Sequence, residues 1–97
     1  MSKIEIRQVA IINRRGLHAR ASAKLAELAL TLPIPVTLSF EGEEADARSI
    51  MDLLCLGAGL GSTVTLSATG PQATSVLDAV SQLIEQGFGE LAEDKPS

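Results

Sequence analysis

Apolar and polar residues alternate from the start of the chain. Ile4 and Ile6 interleave with Glu5 and Arg7, and Val9 and Ile11 follow, so the two-residue period predicts a strand over 4–12. Asn13-Arg14-Arg15-Gly16 breaks the pattern with polar residues and a turn glycine. The period then lengthens. Ala21, Leu25, Leu28 and Ala29 fall at helical spacing in an alanine-rich stretch, which predicts a helix over 19–30 that Pro33 and Pro35 close off. Alternation returns at Val36, Leu38 and Phe40, and Glu41-Gly42 turns the chain into a short strand near 43–47, a hairpin. A short helix follows at 49–56, ending in the loop Gly57-Ala58-Gly59-Leu60-Gly61. Val64, Leu66 and Ala68 share one face of a strand over 63–68. Ala73, Val76, Leu77, Val80, Leu83 and Ile84 form one stripe of a helix over 72–87, introduced by Pro71 and stopped by Gly87 and Gly89. The order β-α-β-β-α-β-α, with strands apolar on one face, predicts an α+β domain whose helices cover one side of a mainly antiparallel sheet. The domain is expected over 1–89, with 90–97 as a flexible acidic tail.

Composition narrows the classes of function. At 97 residues and 45% hydrophobic, the chain is a single ordinary domain with a core of its own rather than a disordered segment. One Cys and one His exclude a disulfide framework and the common structural zinc sites, so no metal or cofactor is expected. Two aromatic residues, both Phe, and a net charge of −4 argue against nucleic acid as a partner. There is no apolar run long enough to span a membrane. Glu5 interrupts the place where a signal peptide needs an apolar stretch, so a cytoplasmic monomer is expected.

The total charge hides an asymmetry. Residues 1–24 carry six basic residues against Glu5 alone, a net +5, whereas residues 25–97 carry two basic and eleven acidic residues, a net −9. The sole histidine, His18, lies in the basic part, between a glycine turn and a helix start. A helix N-terminus presents unpaired N–H groups and a positive dipole end, a ready anion site. Arg20 adds a planar guanidinium suited to phosphate oxygens. An imidazole nucleophile beside such donors points to reversible phosphorylation of His18. A plain cap or surface histidine is the alternative that this local pattern leaves open. No second acid or base lies near His18 in sequence.

Asn13-Arg14-Arg15-Gly16-Leu17-His18-Ala19-Arg20 resembles the active-site segment of the HPr family, the histidine phosphocarriers of the bacterial phosphoenolpyruvate-dependent phosphotransferase system. A second segment, Ala47-Arg48-Ser49-Ile50-Met51-Asp52-Leu53-Leu54 with Leu56-Gly57-Ala58, is similar to that family's regulatory-serine segment. The resemblance covers roughly residues 4–88. It implies an open-faced β-sandwich of four antiparallel strands with three helices on one face. It also implies a carrier, not an enzyme in its own right: His18 takes a phosphoryl group on Nδ1 from Enzyme I and passes it to an Enzyme IIA-type protein. The N–H groups of Ala19 and Arg20 and the Arg20 side chain would bind the phosphoryl oxygens. Many family members have proline after the motif arginine; here Ala21 stands there, which keeps the helix intact.

The resemblance further implies phosphorylation of Ser49 by an HPr kinase, alongside the helix N-cap that serine favours anyway. It places Ala23, Glu27, Ile50, Met51 and Leu54 on a docking surface beside His18, with Leu53 and Leu56 in the core. A regulatory module acting through the Ser49 face on a transcription factor or enzyme is the competing function. Arg14, Arg15, Lys24 and Arg48 read as solvated charges. Gly57–Gly61 lacks the spacing and the strand-to-helix context of a dinucleotide-binding loop. Cys55 reads as a buried or half-buried small apolar residue.

Overall fold

The structure, a computed structural model, describes residues 3–91. Its elements run β1 (Ile4–Ala10), α1 (Ala19–Leu30), β2 (Thr37–Phe40), β3 (Glu43–Asp46), α2 (Ile50–Leu56), β4 (Thr63–Thr69) and α3 (Ala73–Glu85), followed by one 3₁₀ turn at Gly87–Gly89. The four strands form one antiparallel sheet in the order β1-β4-β2-β3. One face carries the helices and the other stays open, the open-faced sandwich. The core lies between, with Leu25, Leu38, Leu53, Leu66, Leu77, Ile84 and Phe88 all fully buried.

The hairpin between β2 and β3 turns on two residues. Glu41 and Gly42 both have positive φ, 50° and 84°, the geometry that matches a two-residue loop to the twist of its strands.

β1 departs from its simple alternation. Ile4 and Ile6 are both 66% exposed, while Val9 and Ile11 are buried. The register explains this: Glu5, Arg7 and Val9 oppose Ala68, Leu66 and Val64, so the odd positions face the helices. The two polar residues there are answered from α3. Thr74 Oγ1 donates to Glu5 Oε2 at 2.7 Å, and the Arg7 guanidinium pairs with Asp78. The strand also ends earlier than its apolar run. Ile11 leaves the ladder but stays tied to the β4 side, its N–H donating to Ser62 O and its O accepting from Gly61 N–H.

Candidate functional site

The segment between β1 and α1 is held from three sides. Gly16 N–H donates to Asn13 O at 3.1 Å, and Asn13 Nδ2 donates to Gly16 O at 2.9 Å, closing a tight turn. Leu17 is buried and its N–H donates to Ala58 O at 3.0 Å. Ser22 Oγ reaches back from the first turn of α1 to Leu17 O at 3.1 Å. Gly16 has φ +62°, and a Cβ there would lie 2.5 Å from Ala58 O. The loop Gly57–Gly61, empty of chemistry in the sequence, is therefore the brace against which the histidine turn is pressed.

His18 occupies the N-cap position of α1 with extended backbone, and its side chain makes no capping bond. The first intrahelical bond runs from Ser22 N–H to His18 O, so the N–H groups of Ala19 and Arg20 precede it. No acidic residue lies in the first turn. The imidazole is 21% exposed. Its Nε2 lies 2.7 Å from Glu90 Oε2, and Arg20 Nε donates to the same oxygen at 3.3 Å. Asn13 Nδ2 donates to the other carboxylate oxygen, Oε1, at 3.0 Å. The ring is thus neither a cap nor a plain surface group.

Glu90 corrects one expectation. The domain does not end at residue 89, because Glu90 is 1% exposed and holds three side chains of the site. Glu90 also brings an acid-base group to His18 that no neighbour in sequence supplies, carried there by the fold from 72 positions away. Residues 92–97, the rest of the expected tail, lie outside the described residues. Glu90 is positioned by a sharp reversal after α3. Its N–H donates to Gly87 O at 2.9 Å, and the buried Phe88 adopts φ +56°. Lys24 Nζ donates to Phe88 O at 2.7 Å, so this lysine, exposed as expected, is also a strut between α1 and the reversal. Burial pushes the Glu90 carboxyl up, but bonds from Asn13, His18 and Arg20 outweigh it and hold the carboxyl below its ordinary range.

Ser49 caps α2. Its Oγ accepts from Asp52 N–H at 3.1 Å, while Asp52 Oδ2 accepts from Asp46 N–H at 3.2 Å. Arg48 is paired with Asp46, whose carboxyl is held down by the Arg48 side chain and backbone N–H. On α2, Leu53 and Leu56 are buried while Ile50, Met51 and Leu54 are 42%, 69% and 37% exposed. Ala23 is half-buried; Glu27 is exposed and lines a groove with Lys24, Leu28, Thr31 and Leu83, on the α3 side of α1. Cys55 is exposed, contrary to expectation, because the buried face of so short a helix is taken by Leu53 and Leu56. No group of three or more metal-ligating side chains occurs among the described residues. No helix there is long and apolar enough to cross a membrane.

A family model described as "PTS HPr component phosphorylation site" matches residues 6–86. A phosphocarrier protein HPr of Cupriavidus necator is 50% identical over 84 residues, covering 87% of this chain and 94% of the relative. A phosphocarrier protein NPr of Shewanella violacea is 43% identical over 90 residues, covering 93% of this chain and 98% of the relative. Among solved structures, an HPr from Thermoanaerobacter tengcongensis superposes with a TM-score of 0.82 at 32% identity, covering 89% of this chain and 97% of its own.

Proposed function

This chain belongs to the HPr family, and from that premise we propose that it carries a phosphoryl group on His18, received from phosphorylated Enzyme I and passed to an Enzyme IIA-type protein. The observation that carries the reading is the imidazole at the N-cap of α1, making no capping bond, with Arg20 beside it and no acidic residue in the helix's own first turn. The bond between phosphorus and the donor breaks as a bond from phosphorus to His18 nitrogen forms. The N–H groups of Ala19 and Arg20 and the Arg20 guanidinium then face the phosphoryl oxygens. A carrier must release what it accepts, so stabilisation has to be balanced between donor and acceptor rather than maximal.

The exposed Ile50, Met51 and Leu54 support α2 as a docking face for transient partners; the family resemblance adds Ala23 and Glu27 of α1, the latter from the groove on the α3 side. Ser49 sits directly before that face. Phosphorylation there by an HPr kinase would add roughly −1.5 to −2 charge beside Asp46 and Asp52 and alter docking rather than fold. The test is incubation with Enzyme I and labelled phosphoenolpyruvate. Acid-labile, alkali-stable label that disappears in His18→Ala is expected; label retained in that variant would overturn the reading.

A further inference from the structure

Glu90 is a buried carboxylate placed where the site's own helix supplies no acid. Its partners make its state legible. Asn13 Nδ2 and Arg20 Nε both donate to it, and its carboxyl is held below the ordinary glutamate range. An ionised carboxylate only accepts hydrogen bonds. The atom of His18 facing it at 2.7 Å, Nε2, must therefore be the donor. A neutral imidazole with its proton on Nε2 keeps its lone pair on Nδ1.

We infer that Glu90 is the positioning residue of a carboxylate–histidine pair that fixes the His18 tautomer and turns Nδ1 toward the incoming phosphoryl group. The inference rests on the phosphocarrier reading and adds to it the residue that selects the nitrogen. The balance is simple. Nδ1 donates its lone pair to phosphorus, the bond from phosphorus to the donor breaks, and the electron pair leaves with the donor. The proton stays on Nε2, and the ring gains positive character that the Glu90 carboxylate offsets. On the return step the same proton keeps the ring a good leaving group. Glu90 touches no reacting atom; it acts through the imidazole, as carboxylates behind other reactive histidines do. Its placement depends on the Gly87–Gly89 reversal and on the Lys24 strut to Phe88 O, so the C-terminal reversal is part of the site.

The test reads the tautomer in the unphosphorylated protein, independently of any transfer. Nitrogen-15 NMR of His18, at a pH where the ring is neutral, is expected to show the proton on Nε2 in the wild type. In Glu90→Gln the side-chain amide is able to donate to Nε2, so the population with the proton on Nδ1 should rise. Phosphoryl transfer from Enzyme I should fall by roughly tenfold or more, with partial recovery in Glu90→Asp. A wild-type ring protonated mainly on Nδ1 would overturn the inference without any variant. An unchanged tautomer in a folded Glu90→Gln protein would do the same, as would a shifted tautomer with unchanged transfer. Absence of transfer in the wild type would instead remove the carrier reading while leaving the tautomer result standing.

Discussion

Two helix starts, those of α1 and α2, carry the two residues that bear the candidate chemistry, and they solve the same problem in opposite ways. α2 is self-sufficient. Ser49 caps it, Asp52 in its first turn accepts from Asp46 N–H, and the half-exposed Asp46–Arg48 pair closes the turn, all within seven residues. α1 has neither a capping side chain nor an acid of its own. Its negative partner arrives from beyond α3 and bonds the ring and guanidinium instead of the backbone. A helix start that satisfies itself is stable but closed. One whose carboxylate is borrowed has no side-chain cap on its first turn, the arrangement that suits the proposed anion site.

The largest effect should separate the two starts outright. His18→Ala is expected to abolish label from Enzyme I, whereas Ser49→Ala should leave the transfer rate unchanged, checked by following labelled phosphate in each variant. Next in size, Arg20→Glu sets a second carboxylate beside Glu90 and removes the guanidinium; transfer should fall by roughly 10²-fold or more while circular dichroism stays that of the folded protein. Gly16→Ala tests the brace. With φ +62° and Ala58 O 2.5 Å from the new Cβ, a loss of about 3 kcal/mol in denaturant unfolding is expected. Ser49→Ala should cost about 1 kcal/mol in the same assay, the worth of an N-cap.

The smallest effect is a pH dependence. Glu90 has its carboxyl lowered by folding, so its contribution to stability is fully present above the ordinary glutamate value, about 4.3, and is lost as pH falls through the lower value of the folded state. Unfolding midpoints measured down through that window should decline less steeply in Glu90→Gln than in the wild type.

Local information was enough for α1 and its turn. The Gly16-Leu17-His18-Ala19-Arg20 string and the helical spacing behind it are contiguous, and the same holds for Ser49 as a cap; the exposure of Met51 beside buried Leu53 followed only from the family resemblance, since an apolar stripe read by itself is core. Glu90 was not legible because nothing local marks it. It lies among acidic residues after two glycines, and only the reversal at Phe88, a positive φ on a bulky side chain, turns it inward. The Gly57–Gly61 loop likewise takes its meaning from a backbone contact across the chain, Leu17 N–H to Ala58 O. β1 misled for a related reason. Ile4 and Ile6 are as apolar as Val9 and Ile11, and pairing with β4, not hydropathy, decided which pair faces the core. Charge by segment was informative but incomplete: the basic first 24 residues surround His18, yet Arg7, Arg20 and Lys24 are each engaged by acceptors on α3 or the reversal that follows it.

The central claim, that a phosphoryl group rests on one nitrogen of His18 selected by Glu90, is tested most directly by phosphorus–nitrogen coupling in the nitrogen-15-labelled, phosphorylated protein. The account predicts coupling to Nδ1, with Nε2 still protonated. Coupling to Nε2, or phosphorus bound at a residue other than His18, would contradict it.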